Sequence, residues 1–160
     1  MKLYLVQHAR ALTKEQNPER PLSPGGREDA RRIAGVLQQA GVRLWRIRHS
    51  GKARAQETAD IIGAALQIDE DIEAMAGLAP NDAVTGVVPD LAGWDADVML
   101  VGHMPFVARL AAYLLGEGSQ ERPVLAFEPG AVACLERTPP DGWQLVWMLS
   151  PALVRGGAAD

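Results

Sequence analysis

The sequence has 160 residues, of which 48% are apolar and 22% are charged, with a net charge of −4. This balance is typical of one globular domain over residues 1–160, and it excludes a disordered or fibrous chain. No stretch approaches the roughly 18 apolar residues of a membrane span, so we expect no membrane partner. The one cysteine, Cys134, excludes an internal disulfide and suits a cytoplasmic protein. We also expect a monomer without nucleic-acid partners.

Short apolar runs typical of buried strands alternate along the chain with segments of helical periodicity. Ser23 and Pro24 are typical of an N-cap and a first helical residue, and Gly41 is typical of a helix end. The segment 139–142, Pro-Pro-Asp-Gly, predicts a turn. The predicted elements are a strand at 2–6, a loop at 9–22, a helix from Ser23 to Gly41, a strand at 44–48, a helix at 55–66, a helix near 81–92, a strand at 98–101, a helix from Pro105 to Gly116, and a hairpin of strands at 131–136 and 143–149.

This alternation predicts an α/β fold, a three-layer sandwich with a mostly parallel central sheet, helices on both faces and a C-terminal edge hairpin. In such sheets, ligands bind beyond the carboxyl ends of the strands. His8 and His103 each follow a predicted strand by one or two residues, and Arg54 opens the helix after another strand. We therefore expect these three residues, far apart in sequence, to meet in one crevice.

Two histidines and an arginine at such an edge are suited to phosphoryl transfer. A neutral imidazole nitrogen is a competent nucleophile toward phosphorus, and water can hydrolyse the resulting phosphohistidine. Charge spreads over the equatorial oxygens during the transfer, so cationic and N–H donors must surround them. Arg54 offers a bidentate fork, and a protonated His103 offers a further donor.

Each of these residues alone has a plainer explanation. A histidine after a strand often packs or caps, and most helical arginines are solvated. We interpret the third histidine, His49, in that way, as a strand-end residue outside the site. The histidines and the cysteine lack metal-ligand spacing, so we expect neither a metal nor another cofactor. The convergence of His8, Arg54 and His103 favours a phosphoryl site.

The charge is also distributed unevenly. Residues 1–54 contain twelve Lys and Arg against four Asp and Glu, whereas residues 55–160 contain four against sixteen. A basic N-terminal third suits an anionic ligand, although the two parts could equally neutralise each other across the fold. Charge pattern alone leaves both interpretations open.

Four blocks of the sequence resemble motifs of the histidine phosphatase superfamily, in the order found there. The first resembles the strand-end Arg-His-Gly or Arg-His-Ala signature, and the third resembles Ser-Pro-x-x-Arg-Ala-x-Gln-Thr-Ala, with Gly51 in place of proline. Four spaced blocks are specific where one alone would not be. The blocks are residues 5–9 (Leu-Val-Gln-His-Ala), 20–26 (Arg-Pro-Leu-Ser-Pro-Gly-Gly), 50–59 (Ser-Gly-Lys-Ala-Arg-Ala-Gln-Glu-Thr-Ala) and 101–105 (Val-Gly-His-Met-Pro).

Within that superfamily the chain is similar to the short SixA type, the phosphohistidine phosphatases, because it lacks room for the large insertion that caps the site of sugar-phosphate phosphatases. The resemblance implies a metal-independent phosphatase that acts on phosphohistidine in a partner protein. It implies that His8 becomes phosphorylated while Arg54 and His103 hold the phosphoryl oxygens. Ser50 would lie near the same pocket, although we expect it to cap the following helix.

Two departures from the superfamily pattern concern charge and protons. Gln7 stands where the superfamily has its first arginine, so it can donate a hydrogen bond to phosphate but brings no charge. Arg10 is close enough in sequence to replace that arginine as a phosphate ligand, although we expect solvation instead. Glu73 and Asp82 lie in the region of the general acid of larger members, without a convincing motif. A phosphohistidine leaving group carries its own proton, which makes such an acid dispensable.

Two alternatives remain open. The chain could be a general phosphomonoesterase for small phosphorylated substrates, or a binding module for phosphorylated ligands whose Gln7 has left it weakly active. A dinucleotide-binding domain fits the sequence poorly, because Gln-His-Ala follows the first strand and the chain contains no Gly-x-Gly-x-x-Gly.

Overall fold

The computed structural model describes residues 1–68, 71–116, 118 and 122–156. No helix of the described part is long and apolar enough to cross a membrane. The elements are β1 Lys2–Gln7, α1 Pro24–Gln39, β2 Arg46–His49, α2 Ala53–Leu66, β3 Ile72–Ala74, a 3-10 turn Val84–Gly86, α3 Val88–Gly93, β4 Val98–Gly102, α4 Phe106–Leu115, β5 Val132–Thr138, β6 Gly142–Leu149 and α5 Pro151–Val154.

The six strands form one mixed sheet in the order β3-β2-β4-β1-β5-β6. The pairs β3–β2, β2–β4 and β4–β1 are parallel, whereas β5 is antiparallel to both β1 and β6. The predicted α/β fold, mostly parallel with an edge hairpin, is therefore confirmed. β1 and β4 are adjacent at the centre of the sheet, which brings the residues that follow them together.

Alternation of side chains along β1 explains the three layers. Leu3 and Leu5 are fully buried on the face covered by α3 and α4. Tyr4 and Val6 are buried on the opposite face, against α1 and α2. Full burial of one such apolar side chain contributes about 1.5–3 kcal/mol, so both faces hold the central strand in place.

The start of α1 fixes the loop that follows β1. Ser23 is the N-cap, and its hydroxyl oxygen accepts the N–H of Gly26 at 3.0 Å. The carbonyl of Arg10 accepts the N–H of Ser23 at 2.9 Å, which ties the loop to the first helical turn. A Cβ on Gly26 would overlap that carbonyl oxygen, so the close approach requires glycine.

The structure differs from the predicted elements where segments are short. The helix predicted near 81–92 is instead the 3-10 turn followed by α3. β3 has three residues and α5 has four, too few to show a period in the sequence, and neither was predicted.

Candidate active site

The two site histidines meet because β1 and β4 end side by side. Gln7 is paired with Gly102 in the parallel register, so His8 and His103 each occupy the next position. The N–H of His8 donates to the carbonyl of Gly102 at 3.0 Å. The two imidazole centroids lie 4.9 Å apart, with the rings tilted by 58°.

The contacts of His8 define which nitrogen is free to react. Nδ1 lies 2.7 Å from the carbonyl oxygen of Ala9, which can only accept, so Nδ1 carries the proton. Nε2 is therefore the unprotonated nitrogen, and it accepts a hydrogen bond from Nε of Arg54 at 3.3 Å. Both contacts specify the neutral tautomer with its lone pair on Nε2.

Arg54 and the segment after His8 are joined by Thr58, one turn further along α2. The Thr58 hydroxyl donates to the carbonyl of Arg54 at 2.7 Å and accepts the N–H of Ala9 at 3.0 Å. Thr58 is buried, so these two bonds are shielded from competing water. The Thr58 side chain therefore links the segment after β1 to the first turn of α2 through two hydrogen bonds.

His103 is 2% exposed and is held by Ser50. Its Nε2 lies 2.6 Å from the hydroxyl oxygen of Ser50, while its Nδ1 is buried without a hydrogen-bond partner in the described part of the chain. The expectation that Ser50 caps α2 is wrong, because Lys52 is the N-cap and makes no side-chain capping bond. Ser50 turns toward His103 instead.

An open cavity of about 580 Å³, the main cavity, lies over these residues. It is lined by Gln7, His8, Arg54 and His103, as well as by Arg10 and Arg20. Its ionisable lining residues are thus two histidines and three arginines.

Arg10 lines the main cavity. The expectation from the sequence that its side chain is simply solvated is wrong. Its Nε and a terminal nitrogen contact Oδ2 of Asp29 at 3.1 and 3.0 Å, while half of its side chain stays exposed. Arg155 binds the same carboxylate through two nitrogens, at 2.8 and 2.6 Å. Asp29 therefore fixes Arg10 at the rim of the cavity.

Gln7 is almost completely buried, and its Oε1 has no hydrogen-bond partner among the described residues. Its backbone carbonyl accepts the N–H of Gly130 at 3.0 Å, which ties the end of β1 to the loop before β5. Five of the six phosphate-site candidates therefore line the main cavity: Gln7, His8, Arg10, Arg54 and His103. Ser50 does not line it, and contacts His103 instead.

The candidate acids lie elsewhere. Glu73 is on β3, largely exposed and 3.7 Å from Arg48, and Asp82 accepts the N–H of Ala79 at 2.8 Å. Neither lines the main cavity. His49 ends β2, where its Nδ1 accepts the N–H of Gly51 at 3.1 Å, in keeping with its interpretation as a strand-end residue.

Two residues of the site escaped the sequence analysis. Arg20 lies in the loop before α1 with a positive φ of 50°, a conformation that no local pattern signals. Thr58 lies on the buried, mostly apolar face of α2, so the sequence pattern indicates only a packing role for it. Only the resemblance of residues 20–26 and 50–59 to superfamily blocks singled out the segments that contain them.

Burial and neighbouring cations keep both histidines neutral. Burial, opposed by the bond to Ala9 and assisted by the charges of Arg54 and Arg20, lowers the pKa of His8 to about 4. Burial, with His8, Arg54, Lys52 and Arg20 nearby, lowers the pKa of His103 to about 3. At neutral pH Nε2 of His8 is therefore unprotonated, and its lone pair accepts the hydrogen bond from Arg54.

Among the described residues, no group of three or more His, Cys, Asp or Glu is arranged to hold a metal ion. The positive charge at the main cavity comes from arginine side chains.

Comparison with known proteins agrees with this geometry. Residues 3–80 match the family model of the histidine phosphatase superfamily (branch 1). A protein of Picosynechococcus sp. is 32% identical over 112 residues, which cover 66% of this chain and 67% of that protein. The phosphohistidine phosphatase SixA of Escherichia coli (strain K12) is 26% identical over 156 residues, 94% of each chain.

The fold agrees as well. A solved structure of the protein histidine phosphatase SixA complexed with tungstate superposes with a TM-score of 0.83 at 24% identity. The match covers 96% of this chain and 99% of the other. The phosphatase activity expected from the sequence blocks is supported by these relatives, and the chain belongs to the histidine phosphatase superfamily.

Proposed function

We propose that this phosphatase hydrolyses phosphohistidine on a partner protein, without a metal, through a phosphorylated His8. The observation that carries the proposal is the tautomer of His8, whose proton is held at Nδ1 by Ala9 and whose Nε2 faces Arg54. A nucleophile with its lone pair already directed needs no proton removed before attack.

The reaction has two displacements at phosphorus. In the first, Nε2 of His8 forms a bond to phosphorus while the bond to the substrate imidazole nitrogen breaks, and that imidazole leaves with its proton. In the second, water attacks phosphorus, the bond to Nε2 breaks, and inorganic phosphate leaves. The first step requires Arg54 to release its hydrogen bond to Nε2, and it leaves His8 as a phosphorylated imidazolium with its proton on Nδ1. In the second step the protons of the attacking water leave with inorganic phosphate, and His8 returns to its neutral form.

The arginines supply what the transition state requires. Arg54 donates to His8 in the free protein and lines the main cavity, so its remaining N–H groups are available to equatorial oxygens. Arg10 and Arg20 line the same cavity. Their charges supply the neutralisation that a metal ion would otherwise provide.

The leaving group favours phosphohistidine. The ionisable groups around the main cavity are neutral histidines and cationic arginines, none of which readily protonates an alkoxide at neutral pH. An imidazole is a much better leaving group than a serine or sugar oxygen, because it can depart already protonated. The SixA similarity points to the same substrate class, and the free cysteine, Cys134, suits a cytoplasmic setting.

The test compares three substrates and traps the intermediate. A phosphohistidine peptide, a phosphoserine peptide and an aryl phosphate are hydrolysed in parallel in EDTA, and kcat/KM is expected to be highest for phosphohistidine. Protein quenched in alkali should carry an acid-labile, base-stable phosphate that peptide mapping assigns to His8. His49→Gln, at a neighbouring strand end outside the cavity, should retain the adduct. Full activity in His8→Ala, or loss of activity on chelation with restoration by one metal, would refute the proposal.

A further inference from the structure

A second cavity, the side cavity, adjoins the main cavity. Its volume is about 420 Å³, and it shares Arg20, Arg54 and Pro80 with the main cavity. A molecule with its phosphoryl group at His8 can therefore extend into it without leaving the surface. Its charged lining residues are Lys14, Glu19, Arg20, Lys52 and Arg54.

The cationic side chains of the side cavity differ from several other basic residues of the segment 1–54, because those others form ion pairs with carboxylates. Arg27 pairs with Glu57 at 2.9 Å and Arg48 pairs with Asp71 at 2.7 Å, so the two parts of the chain do neutralise each other there. Among the described residues, no carboxylate lies within ion-pair distance of Lys14, Arg20, Lys52 or Arg54. Four cations therefore face one carboxylate in this cavity.

The field of these cations reaches the reacting groups. Lys52 and Arg20 contribute to the lowered pKa of His103, after the larger effects of burial, His8 and Arg54. Arg20 also contributes to the lowered pKa of His8. Arg20 lowers the pKa of Arg54 as well, after burial. The two cavities thus form one continuous positive surface that a single phosphoryl group leaves incompletely neutralised.

We infer that the side cavity is a subsite for an acidic side chain that flanks the phosphohistidine of a protein substrate. The inference rests on the proposed function and narrows its substrate class to phosphohistidine with a nearby Asp or Glu. Lys14 and Lys52 are exposed lysines on flexible stems, suited to a carboxylate whose position varies between partners. Arg20 donates its Nε–H to the carbonyl of Leu12 at 3.1 Å, and this bond anchors the side chain at the lining of both cavities.

The test uses matched phosphohistidine peptides that differ only in carrying Glu or Gln beside the phosphorylated residue. For the native protein, kcat/KM is expected to be higher for the Glu peptide by about twofold to fivefold for each exposed cation engaged, and the ratio should fall as salt rises. In Lys14→Gln the Glu-to-Gln ratio should decrease, and in Lys14→Gln/Lys52→Gln it should approach one. Arg43→Gln removes an exposed cation outside both cavities and should leave the ratio unchanged.

The outcomes separate this inference from the proposed function. Hydrolysis of neither peptide by the native protein would reject the proposed function itself. Equal rates for both peptides, or a ratio that Lys14→Gln/Lys52→Gln leaves intact, would reject the subsite while the phosphatase assignment stands.

Discussion

Two groups of arginines in this protein differ in what balances their charge. Arg10, Arg32 and Arg155 surround the carboxylate of Asp29, which is 1% exposed, at distances of 2.6–3.8 Å. Arg20 and Arg54 line both cavities, where the described residues offer them no ion-pair partner.

The two groups of arginines therefore differ in role. In the Asp29 group the protein supplies the counter-ion, so the arginines hold α1 to the loop of Arg10 and to the C-terminal Arg155. For Arg20 and Arg54 the described residues supply no counter-ion, so we expect an anionic ligand to provide it. Arg32 and Arg155 should therefore affect stability, and Arg20 and Arg54 should affect catalysis. Arg10 belongs to both sets, because it binds Asp29 and lines the main cavity.

The largest effect is expected at Arg54. A charge-assisted hydrogen bond contributes about 1.5–3 kcal/mol, and a bidentate fork loses two of them. Arg54→Ala should therefore reduce kcat/KM by about tenfold to a few thousandfold, and Arg54→Lys by less. Both should weaken binding of vanadate or phosphate, measured by inhibition.

The matched control is Arg32→Ala, an arginine of the Asp29 group that lies 3.8 Å from that carboxylate. It should keep kcat/KM within about twofold, as most surface substitutions do. Native kinetics in Arg54→Ala would show that the two groups do not differ in role and that the site is misplaced.

The second prediction concerns the pH profile. Because burial and the cavity arginines lower the pKa of His8 to about 4, the nucleophile stays unprotonated well below the usual histidine range. The enzyme's contribution to kcat/KM should be flat from about pH 8 to about pH 5 and should then fall about tenfold per unit below the pKa. NMR titration of the ring protons gives both histidine pKa values directly.

A titration of His8 near its ordinary value of about 6.5 would contradict this picture of a buried, cation-flanked imidazole. It would also show that the charges of the cavity arginines are balanced, as are those of the arginines bound to Asp29.

The third prediction concerns Asp29. Burial alone would raise the pKa of Asp29, but hydrogen bonds and charges from Arg155 and Arg10 outweigh it, and the pKa is lowered. Its stabilisation is therefore present above the unfolded pKa of about 4 and is lost as pH falls through the lower folded value. Asp29→Asn should reduce the free energy of unfolding by about 1–3 kcal/mol at pH 7, measured with urea.

The difference in free energy of unfolding between the native protein and Asp29→Asn should shrink as the pH falls below the unfolded pKa and the folded carboxylate becomes protonated. A difference independent of pH would show that packing, rather than the ion pairs, accounts for the loss. Asp29→Asn should lower kcat/KM less than Arg54→Ala does, since it only frees Arg10.

The smallest effect is expected at Gln7. Replacing its neutral amide by a guanidinium should recover about 1–2 kcal/mol of transition-state stabilisation, the gap between neutral and charge-assisted bonds. Gln7→Arg should thus raise kcat/KM for an aryl phosphate by about tenfold. The kinetics of Gln7→Arg, Arg10→Ala and the double variant show whether Arg10 already fills that role.

If Arg10 fills it, Arg10→Ala should impair the native protein strongly and Gln7→Arg should restore the double variant. A folded Gln7→Arg protein that turns over no faster, in a background where Arg10→Ala is harmless, would refute the charge argument.

The parts of the fold that the sequence predicts are those with a sustained period. β1 and β4 are apolar runs, and α1, α2 and α4 repeat their apolar residues at helical spacing, so the central layers follow directly. β3 has only three residues with no buried position, and its pairing with β2 depends on tertiary contact.

The site divides in the same way. His8 and His103 are predicted because a strand end fixes their position, and Arg54 because a helix start does. The sequence analysis assigned Ser50 to a helix cap, because serine prefers caps locally. Its actual partner, His103, is 53 residues away, and local sequence preference cannot predict such a contact. The anchoring of Arg10 by Asp29 depends on a side-chain contact across 19 residues, which no spacing rule covers.

The first turn of α1 has a consequence for reading related sequences. The carbonyl oxygen of Arg10 occupies the space that a Cβ at residue 26 would need, and the next glycine back, Gly25, has its own Cβ position 2.8 Å from the Arg10 guanidinium. The residue at position 26 therefore indicates whether the loop after the first histidine can follow the path seen here. A homologue with alanine or any larger residue there must carry the chain after its first histidine along a different path, and it cannot bring the side chain of residue 10 to the main cavity as this protein does.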